Sequence, residues 1–238
     1  MISRTAILVL ILGIHTTVAI DAAAETVHVR AGTKVAAIRM ANEAARQVAA
    51  RRDLADARRK LDAAIAADSS YWPAYYTRGE LNMLEGKYAA VVADTSSALQ
   101  GRTWFPASAY LRARANLKLG KLAEGVAEIE HVISLQPKGT TYPDALNSLA
   151  WIRATCPNPA FRNGLQAIEY AKRACVIRRW QNAGDIDTLA VAYAEAGDFD
   201  SAIRFEEQAI KLGGLPPQLM ADLHQHLASF RDRRPVRS

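Results

Sequence analysis

A 34-residue period runs through the middle of this sequence. Gly86 and Gly120 are 34 residues apart, and each opens a short turn that leads into an Ala-rich helical pattern. The segments read Leu84-Glu85-Gly86-Lys87-Tyr88 and Leu119-Gly120-Lys121-Leu122, and Ala196-Gly197-Asp198-Phe199 follows the same template later. Ala64, Ala98 and Val132 fall at the same 34-residue spacing. A fixed period of this length marks stacked supersecondary units, because one unit cannot bury its apolar face alone.

The units start near Ile38, Trp72, Pro106, Pro143 and Ala183. Two inserts lengthen the later ones: Gly139-Thr140-Thr141 before Pro143, and Pro157 to Gly164 between the two helices of unit four. In unit five, Leu189, Ala190 and Tyr193 share one face of the first helix. Gly197 then supplies the left-handed residue that commonly ends a helix. The second helix presents Ala202, Phe205, Ala209 and Leu212 at helical spacing, with the alanines allowing close approach. A last helix, from about Pro217 to Arg231, has no second helix and reads as a cap over the exposed end.

These residues resemble the tetratricopeptide-repeat pattern of bulky, small and aromatic positions at set offsets. Unit two carries Tyr75, Gly79, Gly86, Tyr88 and Ala98, and unit five carries Leu189, Ala190, Tyr193, Gly197, Phe199, Ala202 and Ala209. Ala45 and Ala113 stand where the pattern has a small Gly, and Val91 and Gly125 where it has an Ala. Unit four and the start of unit five also resemble a variant common in bacterial envelope proteins. The resemblance covers about residues 38–231. It implies an all-α, right-handed superhelical solenoid of five helix pairs plus a C-terminal capping helix. The expected organisation is a signal peptide at 1–24, an N-terminal segment at 25–37, the solenoid at 38–215, the cap at 216–231 and a basic tail at 232–238.

By the family's geometry, the fifth and ninth positions of each unit face a concave groove. The fifth positions are Asn42, Tyr76, Tyr110, Asn147 and Asp187, and the ninth are Arg46, Glu80, Arg114, Trp151 and Val191. The candidate peptide-binding residues are therefore Asn42, Arg46, Tyr76, Glu80, Tyr110, Arg114, Asn147 and Trp151. Aromatic and Arg side chains are favoured as interface anchors. The alternative for Tyr76, Tyr110 and Trp151 is plain core filling, since Trp151 adjoins Leu149-Ala150. Glu80 falls between Arg46 and Arg114 and can pair with one of them. The Lys-rich clamp that some relatives use for a C-terminal carboxylate is missing, which disfavours a chaperone-tail receptor. The resemblance implies a noncatalytic scaffold that binds a protein or peptide in extended or helical form.

Nothing in the chain requires an enzyme, a cofactor or a metal. His224 and His226 are two apart, so on a helix they point to different sides, and both are expected to be solvated. Asp185 and Asp187 share that spacing, and Asp185 reads as a first-turn acid favoured by the helix dipole. Cys156 and Cys175 sit at opposite ends of a helix pair and are expected to be buried thiols, not a bridge.

Composition sets the remaining bounds. At 50% hydrophobic and 23% charged, the chain is neither disordered nor polytopic. The net charge of +6 comes from scattered runs, Arg58-Arg59-Lys60, Arg178-Arg179 and Arg231 to Arg234, so no nucleic acid is expected. Contact with polysaccharide or an anionic lipid surface of the envelope is the alternative function. Arg4, the apolar run Ala6 to Ile14 and Ala22-Ala23-Ala24 make a secretory signal with cleavage after Ala24, Ala19 being the second choice and a retained anchor the alternative. The mature protein is then expected in the bacterial periplasm or outside the cell.

Overall fold

The computed structural model describes residues 33–101 and 105–238. The expected signal peptide and residues 25–32 lie outside them. Among the described residues there are eleven α-helices and no strand. They are α1 (33–49), α2 (Leu54–Ala67), α3 (Trp72–Leu84), α4 (Tyr88–Gly101), α5 (Pro106–Lys118), α6 (Leu122–Ser134), α7 (Thr141–Thr155), α8 (Gly164–Ile177), α9 (Ala183–Glu195), α10 (Phe199–Leu212) and α11 (Pro217–Arg231).

The turns inside the helix pairs have local causes. Gly86, Gly120 and Gly197 hold φ of 71°, 76° and 83°, a left-handed conformation that costs glycine nothing. Asn163, Asn182 and Asp198 cap α8, α9 and α10, each side-chain oxygen accepting from a backbone N–H at 2.9–3.0 Å. Pro159–Phe161 forms a short 3-10 turn within the insert of unit four. Arg162 ties that insert down by donating to the carbonyls of Cys156 and Pro157 and by pairing with Glu195 at 2.9 Å.

The chain divides into two compact units, residues 1–111 and 112–238, with the division inside α5. In the first, Ala37, Ala41, Ala44, Ala57, Leu61, Ala64, Ala74 and Leu81 form one core, small residues letting α1, α2 and α3 approach closely. A polar network runs beside α3 and α4. The Arg78 guanidinium donates to both oxygens of buried Asp94 and reaches Asp62 at 2.7 Å, while Asn82 donates to Asp94 at 2.8 Å. One period later, and inside the second unit, Arg112 grips Glu128 at 2.6 Å in the same register.

In the second unit α9 is the central helix, with every residue from Asp185 to Ala192 buried. It packs on α7, α8, α10 and α11. Helix α7 likewise contacts α8 within its own pair and α9 in the next, which is how stacked pairs share a core. Close approach is set by glycines: a Cβ on Gly164 would lie 2.7 Å from the backbone nitrogen of Ala196. Cys156 and Cys175 are both buried and free.

Candidate functional site

Five of the candidate residues belong to the first unit. Asn42 and Arg46 are exposed on α1. Tyr76, Glu80 and Tyr110 are half-buried on α3 and α5. The Tyr76 ring meets Phe105 edge-on at 4.8 Å, and Trp72 meets the same ring at 4.6 Å. Burial pushes the Glu80 carboxyl above its ordinary pKa, and a hydrogen bond from Tyr76 opposes that. Tyr76 lies one turn before Glu80 on the same helix, so the acid has a local partner.

The other three, Arg114, Asn147 and Trp151, are in the second unit and line one cleft of about 760 Å³. Thr155, Thr188 and Ser238 also line it. Arg114 is exposed, while Asn147 and Trp151 are half-buried. The Asn147 Oδ1 atom is buried and accepts no hydrogen bond. A buried acceptor left unpaired is costly, so this oxygen would gain from any donor that reached it. Trp151 has both of the roles considered for it. Its ring packs against the core of Ala154, Ala190, Val191 and Phe230, and its Nε1 donates to the Ser238 hydroxyl at 3.1 Å.

The basic tail is not a free extension. The Ser238 hydroxyl donates to Thr155 Oγ1 at 2.8 Å, and its backbone nitrogen donates to the Thr155 carbonyl at 3.2 Å. Arg237 pairs with Glu195 at 2.7 Å, and Val236 packs against the core cluster that includes Ala154, Val191 and Phe230. A non-helical segment of this chain thus lies along the end of α7 and reaches the cleft.

A second feature of this unit was not expected from the sequence. Asp187 on α9, Glu206 on α10 and His226 on α11 come together. His226 is not solvated: its side chain is 15% exposed, and Nδ1 lies 2.7 Å from Asp187 Oδ1. Only His224 is exposed, so the two-residue spacing did separate the imidazoles, but one of them points inward. Glu206 is fully buried, and neither of its oxygens accepts a hydrogen bond. Desolvation and the adjacent Asp187 push its pKa far above the carboxylate range. It is therefore held as the neutral acid, which can donate to Asp187. Asp185, two residues from Asp187, is occupied elsewhere, taking both of its bonds from Arg178 at 2.8 and 2.9 Å.

No family model matches the sequence, and no curated protein matches it. Among solved structures, the chain is similar to the APC/C hetero-tetramer Cut9–Hcn1 at 16% identity and a TM-score of 0.66, covering 82% of this chain and 36% of that one. It is similar to YrrB, described as a TPR protein with an unusual peptide-binding site, at 18% identity and a TM-score of 0.57, covering 79% and 91%. A tetratricopeptide repeat protein from Parabacteroides merdae superposes at 16% identity and a TM-score of 0.63, covering 83% and 73%. With the helix pairs, the turn glycines and the closing helix α11 described above, these likenesses give one answer: the chain has the tetratricopeptide-repeat fold.

Proposed function

We propose that this protein is a noncatalytic scaffold that binds a segment of a partner protein in the cleft of Arg114, Asn147 and Trp151. Structural neighbours of this fold suggest a protein-interaction scaffold. One observation carries the finer reading. Ser238 reaches the cleft and bonds there to Trp151 and Thr155, so these groups accept a non-helical peptide segment. Asn147 lines the same cleft, and its buried Oδ1 has no donor, so a turn of the side chain toward the cleft would offer that acceptor to a peptide N–H. Arg114 at the rim suits a carboxylate on the partner. Location in the bacterial periplasm, within an envelope assembly, is part of the same proposal, and its support is the N-terminal sequence alone.

Selection of displayed peptides on the protein tests the binding site. Selected peptides should lose about tenfold or more in affinity on Asn147→Ala or Trp151→Ala, the loss expected when a central interface residue is truncated. Equal affinity for the folded variants would move the site off this cleft. Binding should survive moderate salt, whereas attachment to polysaccharide or anionic lipid would weaken steeply. The mass of the protein isolated from its native cells should correspond to a start at Glu25, and retention of Met1 would refute export with cleavage.

A further inference from the structure

Three helices at the end of the second unit bring an imidazole and two carboxyls to one place, and peptide binding uses none of them. Asp187, Glu206 and His226 each offer a ligand atom, and these atoms all lie within 4.8 Å of one another. Glu206 is wholly buried, neither of its oxygens accepts a hydrogen bond, and Asp187, 7% exposed, is the neighbour to which its acid proton can be given. An apolar side chain of the same size would fill this place without the cost of burying a carboxyl, even one that can donate to Asp187.

We propose that Asp187, Glu206 and His226 are the protein ligands of a divalent transition-metal site, of the zinc class, that ties α9, α10 and α11 together. Tetrahedral zinc with bonds of about 2.0–2.1 Å sets its ligand atoms about 3.3 Å apart. The 2.7 Å contact of His226 Nδ1 with Asp187 Oδ1 has to open by a few tenths of an ångström, and the widest separation has to close, both within reach of side-chain rotation. Glu206 gives up its proton to solvent as the ion enters; two carboxylates and a neutral imidazole then cancel the charge of the ion, so the filled site puts no net charge into the core. One nitrogen and two oxygen donors, with no thiolate, suit Zn²⁺, Mn²⁺ or Fe²⁺; imidazole argues against Mg²⁺ and Ca²⁺. His226 is partly exposed, which leaves a side from which water can supply the fourth ligand. Trp151 and Phe230 border the imidazole at 5.8 and 6.3 Å and fix its ring.

The test uses the full chain, stripped with a chelator and titrated with ZnCl₂ by calorimetry, with CoCl₂ in parallel for the visible spectrum of the bound ion. One equivalent of zinc should bind, and at a hundred times its Kd it should raise the melting temperature by roughly 5–10 °C. Cobalt should give absorption bands of low-coordinate geometry. Glu206→Gln keeps the shape of the neutral acid, so it should melt like the stripped wild type and bind zinc at least about tenfold more weakly. His226→Gln should do the same, and His224→Gln should change nothing. The proposal fails if wild type binds no stoichiometric zinc at about 100 µM. It fails equally if Glu206→Gln and His226→Gln bind as wild type does, or if His224→Gln abolishes binding, since the ion then sits elsewhere.

Discussion

Replacing Asp94 should cost the first unit more than any other single change in its polar network. The Asp94 side chain is 7% exposed. It accepts from Arg78 at 2.7, 3.0 and 3.2 Å and from Asn82 Nδ2 at 2.8 Å. Asp94→Ala removes all four bonds and strands their donors. Breaking a buried pair by deleting one partner costs about 3–5 kcal/mol, because the remaining charge is left uncompensated. Arg78 is not wholly abandoned: it is 24% exposed and keeps Asp62 at 2.7 Å, which lowers that figure. Asn82 adds back part of it, since a buried amide donor without an acceptor costs about 1–3 kcal/mol. The expected loss is about 2–4 kcal/mol.

Two companion variants make the reasoning refutable. Asp94→Asn keeps the volume and one acceptor but sets an amide N–H₂ against donors, for a loss of about 1–3 kcal/mol. Asp62→Ala removes a partner that is 53% exposed and should cost under about 1 kcal/mol. Hydrogen exchange of the α3 and α4 amides, read by mass spectrometry, is the suitable assay, because repeat arrays need not unfold in one step. If Asp62→Ala costs as much as Asp94→Ala, the assignment of the buried carboxylate as the centre of the network is wrong.

Gly164→Ala forces a Cβ to within 2.7 Å of Ala196 N and should destabilise the second unit by about 1–3 kcal/mol, measured by urea denaturation; an unchanged midpoint would mean that α8 and α9 move apart freely. The Cys175 thiol is pushed up to about 12, chiefly by burial, so it stays protonated and should resist a thiol reagent at pH 8 in the folded protein. Unfolded without reductant, the protein should yield two alkylated cysteines, and none would show a bridge. Deleting residues 236–238 frees Trp151 Nε1 and Thr155 Oγ1, so peptides that bind the cleft should bind the shortened chain several-fold more tightly; weaker binding would mean that the segment supports the cleft and does not compete for it.

The helix pairs were legible in the sequence because their signals are local. A glycine at φ near 75° is demanded by its own turn, and Gly86, Gly120 and Gly197 mark those turns whatever packs around them. Alanines at helical spacing likewise announce close packing before any neighbour is known. The Arg78–Asp94 and Arg112–Glu128 pairs were not legible, although the members of one lie one period from those of the other. The partners lie on different helices, and in a basic chain a single arginine does not point to its acid. The docked tail was hidden for a related reason. Net positive charge at 232–238 suggests solvent, yet Val236 supplies an apolar contact and Glu195 takes the charge of Arg237.

The fate of the fifth position in the last two units shows what periodicity cannot carry. Asn147 and Asp187 hold the same place in successive repeats, and from the repeat alone both belong to the groove. In unit four that place lines the cleft, and the Oδ1 of Asn147, itself buried, is left without a donor. In unit five the next element is not another pair but α11, which packs on both α9 and α10. It brings His226 onto Asp187, while Glu206 closes in from α10. A repeat rule assigns a residue its direction; whether that direction meets solvent or protein depends on the element that packs against the last repeat. Capping therefore does more here than cover apolar surface. It converts a recognition position into a buried polar cluster, and that cluster is the one place among the described residues of the second unit where a side chain as costly as Glu206 is wholly enclosed with neither oxygen accepting a hydrogen bond.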